Sequence, residues 1–138
     1  MSGTPSVQQK ASGIEEKEKL ILDWGARIGA AARYEEMRAA QLENLIASLD
    51  AIQGREALLA TAVFALRQAQ RLGAGRTTAR LVNQALLDLY EKGGGKDEAR
   101  KMLSFAKWVY EALAVARPRV RAEQLTLEEL LKHLAGGR

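Results

Sequence analysis

Residues 55–92 read REALLATAVFALRQAQRLGAGRTTARLVNQALLDLYEK, two apolar-periodic stretches separated by Gly73, Ala74 and Gly75. In the first, Leu59, Ala62, Val63, Leu66 and Ala69 recur at intervals of three and four; in the second, Leu81, Val82, Ala85, Leu86, Leu89 and Tyr90 do the same. That period belongs to an α-helix with one buried face. It predicts helices over 55–72 and 77–92, with a connection short enough to fold them antiparallel.

The same period continues on both sides. Toward the N-terminus, Leu42, Leu45, Ile46, Leu49 and Ile52 predict a helix from Arg38 that Gly54 ends. Before it, Ser12 and Glu15 have the form of a capping box. The helix this opens carries Leu20, Ile21, Trp24, Ile28 and Ala31 on one face, and its pattern is weakest over 33–37. Gly25 and Gly29, four apart in that helix, predict a groove where another helix packs closely. Toward the C-terminus, Gly93 to Gly95 break the chain. A fifth helix follows from Asp97 to Ala116, with Ala99, Met102, Leu103, Ala106, Val109, Tyr110 and Leu113 on one stripe. Phe105, Trp108, Ala112 and Val115 lie on its other side, so it is apolar nearly all round. Pro118 stops it. Thr126 with Glu129 then caps a short helix through Leu127, Leu130, Leu131 and Leu134 that Gly136 ends. No segment alternates as a strand does. The expected fold is all-α, a single-domain bundle of five longer helices plus one short C-terminal helix over 13–135, behind a polar disordered tail at 1–12.

Composition narrows the chemistry. The 138 residues are 47% hydrophobic, enough for an ordinary core without a staple, and they include no Cys and one His. Thiolate metal sites, disulfides, thiol nucleophiles and multi-histidine sites are therefore excluded, and no cofactor or metal site is expected. His133 reads as a surface side chain. Gly93, Gly94, Gly95 and Lys96 superficially resemble a phosphate loop, but Asp97 stands where Ser or Thr is needed and no strand precedes them. No active site emerges, and no enzyme is expected. With no signal-peptide core in the first residues and no apolar run of membrane-spanning length, a cytoplasmic protein is expected.

The charge is unevenly placed. Residues 34–54 hold Glu35, Glu36, Glu43 and Asp50 against Arg38, whereas 55–80 hold Arg55, Arg67, Arg71, Arg76 and Arg80 against Glu56. The net charge of +4 equals that of the second segment alone. Arg67 and Arg71 sit one turn apart before the glycine connection, and Arg76 and Arg80 one turn apart after it. Four guanidiniums should then crowd the hairpin tip, beside Thr77, Thr78 and the free amides of a helix N-terminus. Such a place suits phosphate, while the competing reading is a solvated face. Arg117, Arg119 and Arg121 alternate with Pro118 and Val120, so an extended chain would point all three to one side, along a nucleic-acid backbone or simply into solvent. The acidic residues of 34–54 read as a solvated face or a docking surface for basic groups. Phe105 and Trp108 read as core, as an exposed partner interface or, third, as a surface that stacks on bases.

Three places in the chain resemble the small helical subunit of CRISPR ribonucleoprotein effector complexes, of the type III complexes and their type I counterparts. Gln41 and Leu42 ahead of an apolar helix are similar to the family's Gln, Ile or Leu, Arg opening, with Glu43 where the family carries Arg. Val63, Phe64 and Ala65 through Arg67 and Arg71 resemble a helix with a small-aromatic pair and a terminal Arg. Leu103 to Tyr110 resembles the aromatic-rich late helix. The likeness spans roughly residues 20 to 115. It implies a non-catalytic bundle that stacks with copies of itself beside other subunits and contacts the phosphates of RNA or another single strand without reading bases. Arg67 and Arg71 carry over as backbone contacts on that basis; Arg76, Arg80, Arg117, Arg119 and Arg121 rest on charge geometry. The alternative is a helical protein-interaction adaptor whose basic hairpin docks an acidic protein surface.

Overall fold

A computed structural model describes residues 7–114 and 121–136, with side chains from position 15 onward, and among them every regular element is helical. The elements are α1 (Val7–Tyr34), α2 (Ala39–Ser48), α3 (Glu56–Leu72), α4 (Arg76–Glu91), α5 (Lys96–Ala112), a 3₁₀ turn (Ala122–Gln124) and α6 (Leu127–Gly136). The all-α bundle of five longer helices and a short sixth is thus the fold. α1 is the central helix and packs on α5 and α4; α3 packs on α4, α2 bridges α3 and α5, and α6 returns along α1.

The α1–α5 contact is built on the two glycines. A Cβ on Gly25 would lie 2.8 Å from Phe105 Cδ2 and 3.1 Å from the Met102 carbonyl oxygen. One on Gly29 would lie 2.7 Å from Val109 Cβ, with the Ala106 carbonyl oxygen closer still. The expected groove is therefore real, and its occupant is the buried stripe of α5: Ala99, Met102, Leu103, Ala106, Val109, Tyr110 and then Leu113. Close approach of this kind gathers dispersion contacts that a side chain at either glycine would prevent.

Helix ends follow the local chemistry with three departures. α1 begins at Val7, ahead of the Ser12–Glu15 box, so Ser12 is inside the helix. Gln8, Gln9, Lys10 and Ala11 are good helix formers, and a helix already anchored on the bundle extends into them at little cost. α2 ends at Ser48 and α5 at Ala112, each short of the expected stop. At the far end the Thr126 box is made as expected: its hydroxyl accepts the Glu129 amide at 3.1 Å and donates to the Glu129 carboxylate at 3.1 Å. The Gly93–Gly95 break is two caps in succession. Gly93, at φ 81, ends α4 in a left-handed residue, with its amide on the Tyr90 carbonyl and that of Gly94 on Leu89. Glu98 then accepts the Gly95 amide at 2.9 Å to open α5.

One face was misplaced by periodicity. α3 buries Ala57, Leu58, Thr61, Ala62, Ala65 and Ala69, while Leu59, Val63 and Leu66, expected inside, are exposed, Val63 to 65%. Both sets satisfy the helical period. The buried one is mostly alanine, which lets α3 sit close to its neighbours, and the bulkier set forms an unpartnered apolar stripe.

Candidate nucleic-acid interface

Gly73, in the left-handed region, ends α3, and Gly75 precedes α4, so the hairpin carrying the arginines forms as expected. Arg67, Arg71, Arg76 and Arg80 are all exposed. They do not form one cluster. Arg67 and Arg71 turn toward α2, where with Gln41, Asn44, Phe64 and Gln68 they line a groove of about 200 Å³. Arg80 turns the other way and meets Glu123 of the 3₁₀ turn at 3.6 Å, both side chains about half exposed, a pair worth little in water. Arg67, Arg71 and Arg76 make no ion pair or hydrogen bond among the described residues. Arg117 and Arg119 lie outside the described residues; Arg121 is exposed just before the 3₁₀ turn.

The phosphate cradle expected at the start of α4 is already filled. Glu35 supplies a carboxylate that accepts the Thr77 amide at 3.1 Å, the Thr78 amide at 2.7 Å and the Thr78 hydroxyl at 2.6 Å, and Thr78 is only 1% exposed. An anion at a helix N-terminus is what those free amides favour, and here the chain provides its own. Glu35 reaches this position because α1 ends in a paired turn: the Glu36 amide bonds the Arg33 carbonyl at 3.0 Å and the Met37 amide bonds Ala32 at 2.9 Å. That turn places Glu36 at φ 57, a left-handed conformation that glycine usually takes.

Two further acidic residues of 34–54, Glu43 and Asp50, clasp α5. Glu43 accepts Lys107 at 2.8 Å, and Asp50 accepts Arg100 at 2.6 Å. The Arg100 hydrogen bond holds the Asp50 carboxyl below its usual range, and the Glu43 hydrogen bond raises Lys107. Glu43 and Asp50 therefore dock basic groups of their own chain, while Arg67, Arg71 and Arg76 of the hairpin have no counter-charge among the described residues.

Three further arginines act as structural clasps that no local pattern announced. Arg55 caps the end of α4, donating from Nε to the Gly94 carbonyl at 3.0 Å and from its terminal nitrogen to that of Tyr90, over whose ring it lies at 4.3 Å. Arg33 donates to the Tyr110 carbonyl at 3.0 and 2.8 Å and stacks at 3.8 Å on its ring, while the Tyr110 hydroxyl donates to the Met37 carbonyl. Arg27 donates to the Leu125 carbonyl at 2.8 Å above Trp24. A guanidinium satisfies a helix-end carbonyl and covers a ring at once, which a lysine cannot do as well.

Phe105 and Trp108 part company. Phe105 is half-buried against Gly25, whereas Trp108 is 67% exposed, the two rings meeting edge to face with centroids 6.3 Å apart. His133 is exposed on α6. Among the described residues, no three His, Asp or Glu side chains gather as metal ligands, and no helix is long and apolar enough to cross a membrane.

These features define an all-α bundle in which Arg67, Arg71 and Arg76 of the α3–α4 hairpin are exposed without a partner among the described residues. No protein-family model matches the chain, and no curated protein or solved structure is similar to it.

Proposed function

We propose that this protein is a non-catalytic, cytoplasmic, nucleic-acid-associated subunit of a CRISPR-type ribonucleoprotein effector complex, contacting guide or target strand phosphates through its hairpin and stacking with copies of itself. The observation that carries the reading is the state of Arg67, Arg71 and Arg76. Ten other lysines and arginines meet carboxylates or backbone carbonyls; these three are exposed on one hairpin with no ion pair or hydrogen bond among the described residues, a state shared on other elements by the side chains of Lys19, Arg38, Arg121 and Lys132. Neighbouring unmatched guanidiniums repel, a cost that a polyanion removes on binding.

The test is fluorescence anisotropy of a labelled single-stranded RNA across a salt series. Affinity should fall linearly in log salt with little dependence on sequence, and R67Q/R71Q/R76Q should reduce both affinity and salt slope while leaving the helical circular dichroism intact. Unchanged binding by the triple variant sinks the assignment.

The adaptor reading is favoured by a different observation. Leu59, Val63 and Leu66 on α3 and Leu87 on α4 are exposed on the same hairpin, and Trp108 is exposed on α5, an arrangement that suits protein contacts. Partners recovered unchanged after nuclease treatment would put this reading first.

A further inference from the structure

From the groove between α2 and α3 we infer a seat for one unstacked base of a single strand, with Phe64 as the stacking platform and Arg67 and Arg71 holding the phosphates beside it. This rests on the nucleic-acid reading above and adds a base to what was a backbone contact. Phe64, Arg67 and Arg71 fall at i, i+3 and i+7 of α3, so they share one face, and all three line the groove. Phe64 is half-buried against the core, which fixes its ring while leaving part of it to the groove. No acidic side chain is among the lining residues, so the groove favours an anion, and its aromatic wall favours a planar group. The two preferences together describe a nucleotide.

The polar lining divides into committed and free groups. Gln41 Oε1 accepts the Arg38 amide at 2.9 Å, closing the start of α2, and Gln68 donates to the Gln41 carbonyl at 3.4 Å, tying α3 to α2. Both are positioning residues that hold the walls. Asn44 is exposed and has no hydrogen bond among the described residues, so its carboxamide is the group free to meet a base edge. At about 200 Å³ the groove is smaller than the roughly 300–1,000 Å³ of sites that enclose a whole small ligand. It is scaled to a fragment of something longer, one base of a strand whose phosphates run on across the arginines. Stacking of this kind accepts any base, which is compatible with contact that does not read sequence.

The experiment compares three probes on the full chain: a labelled oligouridylate, an abasic ribose-phosphate oligomer of equal length, and uridine monophosphate as competitor. The oligouridylate should bind about tenfold more tightly than the abasic oligomer, the effect of stacking roughly one base. Phe64→Leu, which keeps an apolar side chain on the core, should erase that difference and leave abasic binding in place, while R67Q/R71Q should weaken both. Equal affinity of the wild-type protein for the two oligomers overturns the base seat and leaves the phosphate reading standing. A difference that survives in Phe64→Leu places stacking elsewhere and overturns it too. Competition by the monophosphate as effective as by the oligomer would make this a free-nucleotide site, and no binding of either oligomer would remove both readings.

Discussion

The α1–α5 seam offers a graded test of the packing, because three glycines of one helix differ only in what faces them. Replacing a helical glycine by alanine gains up to about 1 kcal/mol of helix propensity where there is room. Gly13 has nothing within 4 Å of an added Cβ, so Gly13→Ala should realise that gain. At Gly25 the nearest atom is the Phe105 ring at 2.8 Å, which can swing away, followed by the Met102 carbonyl oxygen at 3.1 Å, which can move only with α5. Clash and propensity should roughly cancel there. At Gly29 no neighbour is flexible: the Ala106 carbonyl oxygen is backbone, and Val109 Cβ must move from 2.7 Å out to the 3.4 Å of ordinary contact. That requires α5 to shift as a whole, and overpacking of this kind costs about 1–3 kcal/mol, more than alanine returns. Urea unfolding followed at 222 nm should give the order Gly13→Ala above wild type, Gly25→Ala near it and Gly29→Ala below it by about 1–2 kcal/mol, with similar slopes. Stabilisation by Gly29→Ala matching that by Gly13→Ala would refute the close contact and the placement of α5.

Glu35→Ala removes the acceptor of three donors around buried Thr78 and should cost about 2 kcal/mol by the same assay, with Glu35→Gln intermediate because an amide oxygen accepts but carries no charge for the helix terminus. Arg55→Ala should lower stability by about 1–3 kcal/mol through loss of the α4 cap, whereas Arg76→Gln, equally an arginine and in the same hairpin segment, should stay within about 0.5 kcal/mol of wild type. Asp88 governs an acid limb. Burial works to raise it, but the hydrogen bonds from Lys92 and the Trp24 indole outweigh that and hold it below the ordinary 3.8. Its contribution is therefore fully present above pH 3.8 and lost as pH falls through the lower folded value, so Asp88→Asn should flatten the stability profile in that range; an unchanged profile would mean that neither Lys92 nor Trp24 holds the carboxylate in solution.

What was legible in the sequence is what depends on neighbours along the chain. The helix count, the buried stripes of α4 and α5, the Gly25–Gly29 groove and the Thr126 box all follow from spacings of three and four. The face of α3 was not legible for a related reason. Residues 58, 61, 62, 65 and 69 and residues 59, 62, 63, 66 and 69 fit the period about equally, and weighing bulk over smallness chooses the second. Which one is buried depends on how closely α3 meets its neighbours. Glu35 was beyond reach altogether, since nothing local ties a carboxylate at the end of α1 to amides 42 and 43 positions later. The same holds for Arg33 on Tyr110 and Arg27 on Leu125.

That division also separates the arginines by role. A guanidinium fixed on a carbonyl and a ring, as in Arg27, Arg33 and Arg55, joins parts of the chain that lie far apart in sequence, and its position is set by the fold. Arg67, Arg71 and Arg76 have no such partner among the described residues, and Arg76 opens the helix whose N-terminal amides Glu35 already holds. With Glu35 seated there, the amides of α4 cannot hold an external anion, so attraction for one is left to side chains alone. Those side chains extend away from the backbone and can follow a flexible strand, where a helix terminus would bind a single fixed group. The filled cradle and the unmatched arginines beside it therefore both suit a ligand that is long, anionic and variable in path.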